Sequence, residues 1–329
     1  MADANMTLPP IDSDLERPGA LERAGSSLAT ARGDLIFMAT GPDATSVLML
    51  RNSLVSIAGV GLRRNVLLLA DSWRTCAGLA APCYWSSRVL RERPSDSLTM
   101  KQFWDWRFKF YYVKKRYIAL LVRIGYGVLQ CDTDTVWTHD PFPMLHAFPS
   151  SIVAMRDNGL ANAGIVYARP GGPKAQAMLD DVAWRVQLMQ NWPDVVPTMV
   201  SFARPPYYAN SDDQTLLNDA IVSAVIGNAT FLGSTARFEA RNKYNPKAPD
   251  WGKMPESKEW GSQMRRVHRS FRAHHINTTW ARGNKSAESV RYFTLRIGPA
   301  GRGGETLAFA PRALFAHLPH STANAITHL

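Results

Sequence analysis

Short apolar runs alternate along this chain with longer stretches in which apolar residues recur every third or fourth position. That is the pattern of strands buried in a sheet and helices lying over it. The run at 35–39, Leu-Ile-Phe-Met-Ala, predicts a strand ending in the loop Thr40-Gly-Pro. A helix is expected at 46–59, and a second buried strand at 65–71 ends on Asp71. Strand, helix, strand in this order predicts a parallel sheet with helices on its faces, where ligands collect beyond the carboxyl ends of the strands. Thr40 and Asp71 both fall on that edge.

A long amphipathic helix is predicted at 101–123, ended by Gly125, and it leads into another central strand at 126–131. Further strands are expected at 152–155 and 164–168, and further helices at 174–190 and 212–223. Residues 1–33 mix Pro, Ser, Asp and Glu without an apolar period and read as a mobile lead-in, leaving 34–329 as the folded domain. The stretch 239–266, rich in Pro, Trp, Lys and Gly, reads as a long surface loop.

Composition agrees with a folded α/β chain: 329 residues with 46% hydrophobic content bury a substantial core. A net charge of +11 favours anionic partners, among them a nucleotide-sugar diphosphate. The basic residues are scattered, and the clusters Lys114-Lys115-Arg116 and Arg265-Arg266 read as solvated faces, so nucleic acid is not an expected partner. No run approaches the roughly 18 to 20 apolar residues of a membrane span. Membrane contact is therefore expected only through an anchor that this chain does not carry. Cys76, Cys83 and Cys131 show neither Cys-x-x-Cys nor zinc spacing, and a Cys76 to Cys83 bridge stays open.

The chemistry concentrates at Asp132-Thr-Asp134, at the carboxyl end of the strand predicted at 126–131. In an extended segment side chains alternate, so both carboxylates are expected on one face. Such a pair suits a hard divalent cation, Mn²⁺ or Mg²⁺, which prefers carboxylate and phosphate oxygens. Asp134 would then bridge through the cation to a diphosphate, with Asp132 near a ribose or a metal-bound water.

Leu121-x-x-x-Gly125-Tyr-x-Val-Leu-x-x-Asp132-x-Asp134-x-Val-Trp-x-x-Asp140-Pro-Phe142 resembles the signature of the plant and algal nucleotide-diphospho-sugar transferases, glycosyltransferase family 77. Other stretches agree in order. Thr40, Asn52 and Ala70-Asp71 resemble the family's first strand, following helix and second strand, and Asn162-Ala-Gly164 its Asn-x-Gly turn. Asp213-Gln-Thr-Leu-Leu-Asn218 is similar to its Asp-Gln-x-x-x-Asn, and His275-Ile-Asn277 with Gly283 and Lys285 to its late segment. The resemblance implies a GT-A-like α/β/α sandwich with a mostly parallel central sheet. It also implies transfer, with retention, of a sugar from a UDP-sugar donor to a glycan or glycoprotein acceptor in the Golgi lumen.

By the same resemblance, the metal would be held by Asp132, Asp134 and His275, with His274 a near competitor. Thr40, Asp71, Asp132, Asn162, Gly164 and Lys285 would contact the nucleotide-sugar, and Asp213 and Gln214 would stand at the reacting sugar. The chain departs from the family at Asn52-Ser, where Asn-Trp is common, in the basic 239–266 loop and over the last thirty residues.

Two other readings compete. Leu129-Gln-Cys-Asp132-Thr-Asp134-Thr also resembles the nucleophile strand of haloacid-dehalogenase-type phosphatases, with Asp132 as nucleophile. There the motif should open the fold, and the late lysine and acidic pair could only be Lys174 and Asp180-Asp181. The other reading is an inactive glycan-binding relative of the same fold. The sequons at Asn228, Asn277 and Asn284 would mark glycosylation in a secretory protein, but two of them fall on the proposed donor site.

Overall fold

The computed structural model describes residues 13–41, 43–79, 82–87, 100–157, 160–191, 213–226, 279–282, 291–296, 306–310 and 316–317. In chain order the first elements are α1 (Ala20–Leu28), β1 (Asp34–Thr40), α2 (Ala44–Gly59), β2 (Val66–Ala70), the short α3 (Trp73–Ala77) and α4 (Met100–Arg123). They are followed by β3 (Gly127–Cys131), β4 (Thr135–Val136), α5 (Phe142–Ala147), β5 (Ile152–Asp157), β6 (Leu160–Ala168) and α6 (Pro173–Asn191). Then come α7 (Asp213–Ile226), β7 (Thr279–Arg282), β8 (Arg291–Arg296), β9 (Thr306–Ala310) and β10 (Ala316–His317). Elements predicted from the apolar pattern at 35–39, 46–59, 65–71, 101–123 and 126–131 coincide with β1, α2, β2, α4 and β3 within a few residues.

One sheet of the described residues runs β2-β1-β3-β6-β5-β9-β8-β7. β1 pairs in parallel with both β2 and β3, and β5 with β9. β3–β6, β6–β5, β9–β8 and β8–β7 are antiparallel, so the sheet is mixed rather than mostly parallel as expected, and its parallel part is concentrated at β2-β1-β3. Alternation along each strand sends Leu35, Phe37, Leu67, Leu69 and Val128 into a core shared with α1, α4, α6 and α7. Ile36, Met38, Leu68, Ala70 and Leu129 pack instead with residues of α2 and α5. Helices thus cover both faces, the layering of an α/β/α sandwich.

The segment read as a mobile lead-in is in part a structural strap. Leu21, Ala24 and Leu28 of α1 are buried, because an apolar stripe at i, i+3, i+7 lies on the sheet. Ahead of α1, Asp14 pairs with Trp85, and Tyr84 pairs with Leu69, adding two short parallel stretches outside β2. A disulfide, Cys76–Cys83, closes the loop between α3 and this returning stretch.

Asn162-Ala-Gly164, expected as a turn, is built into β6. The expected long loop at 239–266 lies outside the described residues.

Candidate active site

The carboxyl ends of β2, β1 and β3 form one edge, with Thr40 opposite Ala70 in register and Cys131 opposite Met38. Asp71 follows β2 and is buried, and Thr40 is buried with its hydroxyl donating to Gly41 O at 3.2 Å. Asp132 follows β3. Its backbone N–H donates to Gly164 O on β6 at 2.8 Å, continuing the β3–β6 pairing by one residue.

Beyond Asp132 the chain turns rather than extends. Thr135 Oγ1 donates to Asp132 O at 2.9 Å, and the next residues enter β4, which pairs with β10. This corrects the expectation that both carboxylates share the face of an extended strand. The Asp132 side chain is 45% exposed while Asp134 is 9% exposed, so one carboxylate is open to solvent and the other is buried. Ser53 and Ser56 of α2 brace the turn: Ser53 Oγ lies 3.2 Å from Thr135 Oγ1, and Ser56 Oγ accepts from Trp137 N at 3.0 Å.

Gly164 is required where it stands. A Cβ there would overlap Asp132 Oδ2 and lie 2.9 Å from Asn162 Oδ1, so only glycine lets the aspartate lie across β6. Asn162 Oδ1 itself accepts from Gly164 N at 2.8 Å.

Helix α7 is docked on β6 by its own motif. Gln214 Oε1 accepts from Ala163 N at 3.3 Å. Asn218 takes Ala161 N at 2.9 Å on Oδ1 and donates to Ala161 O at 2.9 Å, satisfying both backbone groups as a neighbouring strand would. Asp213, at the start of the helix, shares Lys114 with Asp132. Asp212 lies outside the described residues, as do His275, His274 and Lys285.

Two lysines that the sequence presented as part of a solvated cluster complete the site. Lys114 and Lys115 of α4 are buried, at 4% and 6% exposure. Lys114 Nζ is 3.2 Å from Asp132 Oδ1 and 3.4 Å from Asp213 Oδ2, and Lys115 Nζ is 3.5 Å from Asp213 Oδ2. Lys115 also donates to Gln130 Oε1 at 2.9 Å, and Gln130 Nε2 donates to Ala163 O. The available signal was position: Lys114 lies three and four residues before Tyr117 and Ile118, on the buried stripe of the amphipathic helix α4. A lysine on such a stripe needs a carboxylate partner.

Burial opposes every charge here, and the pairing decides which charges survive. Burial alone would raise Asp213, yet the two ammonium groups pull its pKa down to about 2. Burial of Lys114 is outweighed by Asp132 and Asp213, which hold it charged well above the usual lysine range. For Lys115 burial wins, with the Lys114 charge adding to it, and its pKa falls to about 8 despite Asp213. The cluster thus sets two buried ammonium groups against the mostly buried Asp213, with Asp132 on its open side.

Asp132 and Asp134 present hard oxygen donors of the kind Mg²⁺ and Mn²⁺ prefer, and the exposure of Asp132 leaves that site open to a diphosphate. Among the described residues no group of three or more His, Cys, Asp or Glu side chains gathers to hold an ion by protein alone.

The phosphatase arrangement is not what forms. Two strands precede the aspartates, Asp180 pairs with Arg123 and Asp181 with Arg185. An acidic pair engaged with arginines in this way is not aimed at Asp132.

Carboxylates thus gather at the carboxyl edge of the parallel strand set, with buried lysines beside them. The family model for nucleotide-diphospho-sugar transferases matches residues 74–244, just over half of the chain, and the chain belongs to that family. It is a glycosyltransferase by that membership. A stretch of 77 residues is 30% identical to beta-arabinofuranosyltransferase RAY1 of Arabidopsis thaliana, covering 20% of this chain and 14% of that protein's length. Among solved structures, the galactosyltransferase LgtC in complex with donor and acceptor sugar analogs aligns with a TM-score of 0.32 at 12% identity, over 56% of this chain and 69% of LgtC. An active-site mutant of LgtC aligns with a TM-score of 0.28 at 12% identity, over 49% and 64%.

Proposed function

We propose that this protein is a metal-dependent, retaining glycosyltransferase that moves a sugar from a UDP-sugar to a glycan or glycoprotein acceptor. The observation that carries the reading is the convergence of Asp132, Lys114, Lys115 and Asp213 at one end of the sheet, beside a backbone cleared by Gly164. Asp132 and Asp134, with His275 as a further ligand, would hold Mn²⁺ or Mg²⁺, which would supply Lewis-acid neutralisation of the departing diphosphate.

The chain's own residues do the rest. Lys114 and Lys115 keep Asp213 ionised, so that it accepts hydrogen bonds from sugar hydroxyls rather than giving them. Gln214 stands beside it as the second group at the reacting sugar. Thr40 and Asp71 line the nucleoside end, Asn162 and Gly164 the floor under the donor, and Lys285 meets the diphosphate. Positioning and electrostatics then carry the transfer, with the acceptor hydroxyl attacking from the face that the diphosphate leaves.

A UDP-pentose or UDP-galactose is the donor class we propose, the former in keeping with the arabinofuranosyl transfer in the name of the Arabidopsis relative. A cell-wall glycan or glycoprotein is the corresponding acceptor. The Cys76–Cys83 disulfide supports an oxidising compartment such as the Golgi lumen. Among the described residues no helix is long and apolar enough to cross a membrane. One transferase unit, from the strap to β10, is the domain we propose.

The test is calorimetric titration of UDP into the protein with Mn²⁺ and then with EDTA, beside an assay for phosphate-ester hydrolysis. Metal-dependent UDP binding without phosphatase activity is expected. Binding in neither condition would remove the donor-site reading.

A further inference from the structure

Four consecutive residues of α4 divide their side chains between two tasks. Lys114 and Lys115 meet Asp132 and Asp213, while Arg116 and Tyr117 reach the strap ahead of α1. There Glu16 Oε1 accepts from Arg116 Nη1 at 2.5 Å, from Tyr117 OH at 2.6 Å and from Ser86 Oγ at 3.2 Å. One carboxylate thus gathers a guanidinium, a phenol that is 1% exposed and a hydroxyl from the stretch just after the disulfide. Asp14 reinforces the arrangement, its Oδ1 accepting from Glu16 N at 3.1 Å and from Ser87 N at 3.0 Å.

A helix is rigid over a single turn, so an anchor on Arg116 and Tyr117 fixes the rotation and height of the two residues immediately before them. Lysine side chains in a helix lean toward its amino end. The turn at 124–126 returns the chain from α4 into β3, so that lean points at the carboxyl edge of the sheet, where Asp132 begins. A small rotation of α4 would swing both ammonium groups away from the carboxylates they pair with.

We infer that Glu16 is a positioning residue of the transferase site, setting Lys114 and Lys115 against Asp132 and Asp213 through Arg116 and Tyr117. The strap is then a working part of the donor site as well as a covering over the core. The catalytic consequence rests on the donor-site reading above, but the placement of the lysines does not. Burial of Tyr117 and the hydrogen bond to Glu16 also hold its phenol protonated, so it remains a donor to Glu16 throughout the neutral range.

The experiment labels surface amines of the intact protein with acetic anhydride and reads Lys114 and Lys115 by mass spectrometry. It compares wild type, Glu16→Gln, Tyr117→Phe and the exchanged pair Glu16→Arg with Arg116→Glu, with melting curves alongside. Glu16→Gln should raise labelling of both lysines by about tenfold with the melting transition retained, and the exchanged pair should bring protection back. In the same variant, kcat for UDP-galactose hydrolysis with Mn²⁺ should fall about tenfold with KM within about threefold.

Unchanged labelling in folded Glu16→Gln overturns the inference, as does a KM rise with kcat intact. If Glu16→Gln does not fold, Tyr117→Phe, which keeps the Glu16–Arg116 pair, decides by the same readout. If wild type neither binds UDP with Mn²⁺ nor hydrolyses UDP-galactose, the donor-site reading fails by itself, and the labelling alone decides whether Glu16 sets the lysines.

Discussion

Gly164 lies so close beneath Asp132 that the aspartate's Oδ2 occupies the place a Cβ would take. The backbone of β6 is thus the floor on which the exposed carboxylate rests. Gly164→Ala should push Asp132 off that floor and away from Lys114. We expect UDP affinity in Mn²⁺ to fall by about tenfold or more and stability by about 1–3 kcal/mol, as for overpacking in a close-packed site. Calorimetric titration and denaturant unfolding check both, and wild-type affinity would show that the glycine is dispensable.

Asp134→Asn should abolish metal-dependent UDP binding while leaving the melting transition nearly in place. The substitution keeps shape and removes the charge a hard cation needs. A variant that still binds UDP only in the presence of Mn²⁺ would exclude Asp134 from the cation site.

Asp213 gives the site an acid limit. Its pKa is about 2 in the fold against an ordinary 3.8, so the stabilisation it brings is fully present above pH 3.8 and is lost as pH falls toward 2. The difference in melting temperature between wild type and Asp213→Asn should therefore narrow as pH is lowered from about 4 to 2. A constant difference across that window would mean that the Lys114 and Lys115 contacts do not hold in solution.

Lys115 acts with the opposite sign. Its pKa falls to about 8 from an ordinary 10.5, so below pH 8 it is charged in both states and its burial costs stability. As pH rises from 8 toward 10.5 the folded state sheds the proton first, and that cost is relieved. Lys115→Met should be less destabilised relative to wild type at pH 7 than at pH 10, which melting at the two values reads directly.

Reduction of Cys76–Cys83, or Cys83→Ser, releases a loop whose ends are seven residues apart. Chain entropy puts the loss at about 2–3 kcal/mol. Hydrogen exchange should rise first at 82–87 and in the strap that pairs with it, before β1 and β3 open. Simultaneous exchange everywhere would mean that the strap is no separate unit.

The central sheet was legible because burial on both faces leaves unmistakable apolar runs, as in Leu35–Met38 and Val66–Ala70. The position of Asp132 at a strand end followed from the same runs. What could not be read was set by tertiary contact. Glu16 and Asp14 sit in a stretch with no apolar period, and only Trp85, Arg116 and Tyr117, distant in sequence, give them a role. Lys114 and Lys115 looked like solvent-facing basic residues because composition does not record which face of α4 they occupy. The turn after Asp132 replaced an extended segment because Thr135 caps the Asp132 carbonyl, a local competition that alternation ignores.

β10 pairs with β4, immediately after the aspartate turn, although Ala316 is partnered with Val136 from far earlier in the chain. During synthesis, β1, β2, β3 and β4 are therefore made long before the segment that pairs with the turn exists. The segment that closes on the aspartate turn is thus among the last of the described elements to be made, and the turn gains its strand partner only at the end of synthesis.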